Sequence, residues 1–357
     1  MKTTEIAPRV GVVDAIAAGL AETARRPWLI VLPAVIDLWL WLAPRVSVAP
    51  LLQRLVQNWE SVLLTTYTPT QLSSLQEFLS ATREMVAQVS QNFNLADALT
   101  GGWLGAPSVL SNVQITRMTF ISDLVLAPAG LSLQLPHLAA SPLAGRSLQV
   151  GGLGSLLLFS LLLWLGGQVL LAVYLRWAAG SWLCHKCWAG WHGLWSLAVN
   201  LVAYSLLVSA AILLLRLPLA FALSLLLLSA NSALGVVALL IGGLALWMTL
   251  WFMMMLFFVN EAILLDELTV WRAVLRSAAV VHHNFGGALV LAGMMNLLLY
   301  GFRVVWDVIG VAPWGAAVAI VANAFLATSL LLAAFSFYGH VRKAALAPSP
   351  QAGHRAV

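Results

Sequence analysis

The chain has 357 residues, 61% of them hydrophobic and only 9% charged, with a formal net charge of +5. A soluble domain carries about 25% charged residues, so this composition excludes a water-soluble globule and points to an all-α integral membrane protein of several passes. The basic residues are scattered rather than clustered, which speaks against a nucleic-acid surface.

From the N-terminus, no apolar core long enough for a cleavable signal peptide precedes VVDAIAAGLAETARRPW, so insertion is expected to depend on the first transmembrane segment. That stretch is amphipathic: Val13, Ile16, Ala17, Leu20 and Ala24 share one face, and Asp14, Glu22 and Arg25 are displaced from it. The first transmembrane helix is expected over 27–43, completing an N-terminal unit of residues 1–44. A long extracytoplasmic segment, 45–150, follows. It is rich in Ser, Thr, Gln and Leu, and Leu72, Leu75, Leu79, Val86, Val89 and Phe93 recur at helical spacing. One or two amphipathic helices are expected there, followed by a stretch closer to strand or loop. A loop this long in a compact membrane protein is more often functional than idle.

Residues 151–345 are expected to hold five more spans, at 152–177, 194–216, 233–260, 285–303 and 313–338, which makes about six in all. The run LPLAFALSLLLLS, 217–229, is too short to span with certainty, and Pro218 is expected to break it from the helix before it. It is either a kinked continuation or a re-entrant or interfacial piece. Residues 346–357 are expected to be a disordered tail. Lys and Arg are denser in the short segments on the N-terminal side, so both termini are expected to be cytoplasmic.

Two further amphipathic segments precede spans, SWLCHKCWAGWHGLWS at 181–196 and LTVWRAVLRSAAVVHHNF at 268–285. In the second of these, Trp271, Leu275 and Ala278 face one way and Arg272, Arg276 and His283 the other. Sliding one on the other pairs Lys186 with Arg276, His192 with His282 and Trp195 with Phe285. A repeated unit is expected: interfacial helix, span out, span back, three times over. Trp28, Trp188, Trp191, Trp195, Trp271 and Phe285 are its expected interfacial anchors.

FFVNEAILLDELTVWRAVLRSAAVVHHNFGGALVLAGMMNLLLYGF, with Asp266–Glu267, Trp271, Ala273, Ser277 and Asn284–Phe285, resembles the membrane domain of glycerophosphoryl diester phosphodiesterase and related uncharacterised bacterial integral membrane families. RRPWLIVLPAVIDL is similar to their first segment. The resemblance covers the transmembrane part without residues 45–150. The soluble phosphodiesterase barrel of that family is absent, so the resemblance implies no catalytic residue.

Cys184, His185, Cys187 and His192 invite a metal reading, yet on one helix the two histidines lie about 10 Å apart along the axis and cannot share an ion with both cysteines. Trp188 stands where a haem-attachment motif needs histidine. No histidine falls in mid-span, so no metal and no cofactor is expected. Asp37, in the middle of the first span, is the sharpest polar residue, because an ionisable group at that depth is costly and commonly functional. Asn200, Asn296, Asn323 and Gln168 could line the same polar interior, or simply bridge helices. The acidic residues Glu261, Asp266 and Glu267 are expected to cap the third interfacial helix. No catalytic constellation is visible. The expected role is a non-catalytic membrane scaffold or accessory subunit contacting lipids and other membrane subunits, with a transporter using Asp37 as the alternative.

Overall fold

The computed structural model describes residues 11–66, 79–80, 83–84, 95–96, 147–180, 191–228 and 232–346. Helix α1 (Val12–Arg25) leads through a 3-10 turn, Pro27–Ile30, into α2 (Val31–Leu42). Strand β1 (Arg45–Ser47) precedes α3 (Ala49–Thr66), and β2 (Ser147–Gln149) precedes α4 (Leu153–Ala179). Then come α5 (Trp191–Leu228), α6 (Ser232–Met255), α7 (Val259–Leu265), α8 (Val270–His283), α9 (Phe285–Ile309) and α10 (Pro313–Leu346). Among the described residues five helical stretches are long and apolar enough to cross a bilayer: Leu153–Ala179, Trp191–Ala211, Leu240–Leu265, Phe285–Ile309 and Pro313–Lys343. The expected first span, Pro27–Leu42, is apolar but shorter. The protein is therefore a multi-pass helical membrane protein.

Two boundaries differ from expectation. Pro218 does not end its helix: α5 runs unbroken from Trp191 to Leu228. A proline removes one rung of the ladder, and in an apolar leucine-rich run no competing partner exists for the rest of the backbone. Trp191, His192 and Trp195 accordingly belong to the first turns of α5 itself, while residues 181–190 lie outside the described residues. Conversely, the expected span 233–260 is interrupted after Met255.

The strands β1 and β2 pair in parallel, Arg45 with Ser147, Val46 with Leu148 and Ser47 with Gln149. They tie together the two ends of the long segment, and the Arg54 guanidinium donates to the Gly151 carbonyl at 2.8 Å. Within it, Arg83 grips the Glu60 carboxylate at 2.6 and 2.8 Å, which holds that carboxyl below the usual range chiefly through the hydrogen bond. The helical pattern expected over 72–93 lies almost wholly outside the described residues.

Helix α10 is the hub. Of its apolar window 72% is buried, against 22–33% in the other four, and α1, α2, α4, α7, α8 and α9 all pack on it. Its polar side chains tie neighbours in: the Tyr174 and Thr328 hydroxyls join α4 to α10 at 2.8 Å, both fully buried.

Helices α1 and α8 are built alike. Both have 14 residues, and both start after an N-cap of nearly equal backbone angles, Gly11 (−66°, 160°) and Thr269 (−67°, 156°). Both end at a residue of nearly equal, non-helical angles, Arg26 (−128°, 66°) and Asn284 (−136°, 55°). Aligning these ends pairs the buried residues Ala15 with Ala273, Gly19 with Ser277 and Thr23 with Val281. The face turned inward is the small-residue one. Small residues pack on the bundle, whereas Val13, Leu20, Trp271 and Leu275 are exposed. Close helix approach in an apolar medium favours small side chains at the contact, and bulky apolar ones are equally content against hydrocarbon.

Candidate functional site

The polar interior centres on the interruption between α6 and α7. After Met255 the ladder tightens: Leu256 N–H is shared by the Phe252 and Met253 carbonyls, Phe257 N–H goes to Met254 and Val259 N–H to Leu256. Phe258 N–H has lost its helical partner and donates to Ser277 Oγ at 3.0 Å. The Ser277 hydroxyl donates in turn to the Met255 carbonyl at 2.7 Å. From the other side the Tyr204 hydroxyl donates to the Leu256 carbonyl at 3.0 Å. One inserted side chain thus opens the helix and satisfies what it opens. Phe258 is held by Phe257 edge-on at 4.8 Å and by Phe337 stacked at 5.8 Å. At the matching position of α1 stands Gly19, which meets an unbroken helix. Changing Ser277 to alanine strands two buried backbone groups, each worth about 1–3 kcal/mol. Thermal unfolding should fall accordingly, and the Phe258 amide should exchange faster while the amides of α10 keep their protection.

The break delivers α7, a short helix whose polar residues are sealed in. Glu261 is fully buried, and Asn260 is 1% exposed with neither amide atom hydrogen-bonded. At its end Asp266 gathers three partners. The Tyr338 hydroxyl donates to one carboxylate oxygen at 2.7 Å and the Arg342 guanidinium to the other. Arg342 also donates to the Leu265 carbonyl at 3.2 Å, and Arg276 Nε lies 3.8 Å from the carboxylate. The expected capping of α8 by this acidic cluster is not what forms. Thr269 is the N-cap, without a side-chain cap bond, and Asp266 is turned to α10 instead. The arginines compete for it more strongly than a helix end does. Glu267 is exposed at the chain reversal, in the left-handed region at φ 53°. Chemically, the cluster clamps α7, α8 and α10 together.

The residues expected to form a polar path are dispersed. Asp37 is fully buried on α2, on the same helix as the buried Ile36 and Leu40. Gln168 is buried on α4. The amides of Asn200 and Asn296 donate to carbonyls four residues back in their own helices, Ser196 at 2.9 Å and Ala292 at 2.8 Å. Asn323 is half-buried on α10. The NH2 groups of Asn200 and Asn296 thus bond within their own helices, while Asn296 Oδ1 is buried without a hydrogen-bond partner, and α5, which carries Asn200, packs chiefly on α6 and α4. Of the expected anchors, Trp28, Trp191, Trp195, Trp271 and Phe285 are exposed, whereas Trp188, Cys184, His185 and Cys187 lie outside the described residues. Among the described residues no three His, Cys, Asp or Glu side chains converge to hold a metal. Sequence reasoning missed Asn260 and Tyr338, and named Ser277 only as part of the family resemblance. A serine in an amphipathic helix carries no mark of insertion into a neighbour, although an Asn-Glu pair inside an apolar run is a signal.

A second feature is an apolar groove of about 850 Å3 between α9 and α10, walled by Phe302, Trp306, Val318 and Phe325 and reached at one end by Ile16 and Leu20 of α1. Compared with known proteins, the chain matches no family model, no curated protein and no solved structure.

Proposed function

We propose that the protein is a non-catalytic scaffold or accessory subunit of a bacterial cytoplasmic membrane, which presents its exposed faces to lipids and to other membrane proteins. The observation that carries this reading is the use made of the interior polar groups. Tyr174 with Thr328, Tyr204 and Ser277 with the helix break, and Tyr338, Arg342 and Asp266 with one another all join helix to helix. Side chains engaged in this way hold a rigid bundle. In this reading both termini are cytoplasmic, Pro27–Leu42 completes six spans, and residues 45–150 face partners outside. The likeness of α1 to α8 supports a unit of amphipathic helix and paired spans used three times, and the resemblance to the phosphodiesterase membrane domain accords with it. Mild-detergent extraction followed by mass spectrometry should recover a stable larger complex. A monodisperse lone protein would overturn the proposal.

One observation favours a second reading, a transporter. Asp37 is a fully buried carboxyl within an apolar helix, a placement that is commonly functional. Asp37→Asn would then abolish proton- or cation-coupled uptake in proteoliposomes while the unfolding temperature stays near that of the parent. Unchanged uptake removes Asp37 from any such role.

A further inference from the structure

Helix α8 lies outside the spans. It joins the ends of Leu240–Leu265 and Phe285–Ile309, so on a bundle that crosses a bilayer its free face meets the headgroup layer. That face is divided lengthwise. Trp271 and Leu275, both exposed, lie within about 40° of each other around the helix. Arg272, Arg276 and His283 form a second strip beside them, also about 40° wide and about 16 Å long. Ala273, Ser277, Val280 and Val281 turn inward. The arginines of the strip have donors to spare. Arg272 is exposed and enters no ion pair among the described residues. Arg276 Nε lies 3.8 Å from the Asp266 carboxylate, beyond hydrogen-bond reach, because Tyr338 and Arg342 already hold both oxygens. Residues four apart on a helix are neighbours, so the two guanidinium groups can meet on one anion. Glu267, exposed at the chain reversal, pairs with neither of them among the described residues. Helix α1 supplies the comparison. With the ends aligned as above, Asp14, Ala18 and Arg25 stand in place of Arg272, Arg276 and His283, and Asp14 is turned back to the Gly11 amide at 3.0 Å. The two helices share a design, and only α8 carries the basic strip.

We propose that α8 binds the headgroup of an anionic phospholipid of the phosphatidylglycerol type, its phosphodiester between Arg272 and Arg276 and its acyl chains against Trp271 and Leu275. Guanidinium groups pair with phosphate oxygens two at a time, and each basic side chain at the surface adds to the attraction for an anionic leaflet. A zwitterionic lipid has the same phosphate but brings its own ammonium group, which the arginines repel. A soluble anion lacks the chains that the apolar strip covers. The inference rests on the lipid-contacting scaffold reading and names the class of lipid, and it needs no protein partner.

The test uses the full chain in phosphatidylcholine vesicles doped with either photoreactive phosphatidylglycerol or photoreactive phosphatidylcholine, the reactive group near the glycerol backbone in both. After irradiation, adducts are mapped by peptide mass spectrometry, and the ratio of phosphatidylglycerol to phosphatidylcholine adducts is compared between α8 and α1. The ratio should be severalfold higher on α8. Arg272→Gln should lower it about fivefold, whereas Arg272→Lys, which keeps the charge, should hold most of it. Raising the salt concentration should bring α8 towards α1 in the parent chain, a reading that needs no variant. Equal ratios on the two helices, or a ratio on α8 untouched by Arg272→Gln, overturns the proposal. So does displacement of the phosphatidylglycerol adducts by inorganic phosphate at constant ionic strength, which would make the strip a site for a soluble anion. Because no partner is present, this result is independent of whether a larger complex is recovered.

Discussion

Replacing Gly19 with leucine is expected to lower stability by about 3 kcal/mol or more, at the upper end of what overpacking costs. Gly19 is buried in the middle of α1, where α1 crosses the hub helix α10. A Cβ there would run into the Ser329 carbonyl oxygen and come within 2.7 Å of Ala333 N. Both are backbone atoms of an intact helix, so neither can turn aside as a side chain would. The seat also depends on Ala15, Ile16 and Thr23, the last bonded back to the Gly19 carbonyl at 3.0 Å. Helix propensity pulls the other way: removing a mid-helix glycine favours the helix by up to about 1 kcal/mol. A net loss therefore measures the packing contact itself. The comparison is Ala18→Leu, one residue away and exposed, which should leave the unfolding temperature in detergent nearly unchanged. Release of α1 should further appear as faster tryptic cleavage after Arg25 in Gly19→Leu alone.

That contact also shows what a reader of the sequence could and could not see. The apolar runs, their number to within one, and the amphipathic character of α1 and α8 are written in composition and period, because a bilayer imposes length and polarity on each span. The inward face was not. The helical period groups Val13 with Leu20 on α1 and Trp271 with Leu275 on α8 without saying which way they face, and these four are exposed. In water the bulky face would be buried; next to lipid the choice falls to small residues, and periodicity alone does not separate these media. The break at Leu256–Phe258 was illegible for a related reason. Nothing in MMMLFFVN is a helix breaker; the break is made by Ser277, nineteen residues beyond the Phe258 amide it receives. Asp37 could be singled out because one charge in an apolar run is conspicuous. The dispersal of Asn200 and Asn296 could not, because an amide's partner is set by rotamer and neighbour rather than by position along the chain.

Asp266→Ala should be strongly destabilising. It removes the acceptor shared by Tyr338 and Arg342 and the nearby partner of Arg276. Breaking one side of a fully buried ion pair costs about 3–5 kcal/mol. Here the side chains of Arg342 and Arg276 remain 28% and 33% exposed, so water takes up part of the loss and about 2–3 kcal/mol is expected. Asp266→Asn separates charge from shape: it can still accept from Tyr338, and it should recover part of the loss. Tyr338→Phe removes one hydrogen bond to a charged group, worth about 1.5–3 kcal/mol. A double-mutant cycle of Asp266→Asn with Arg342→Met isolates the pair, because the uncompensated guanidinium is then gone. If α7, α8 and α10 are clamped through Asp266, the double variant should be more stable than the sum of the single losses predicts. Additive losses would mean that Arg342 is held by the Leu265 carbonyl and its helix alone. The readout must include the α7 amides, since a clamp that fails should raise exchange across Val259–Leu265 before the bundle melts.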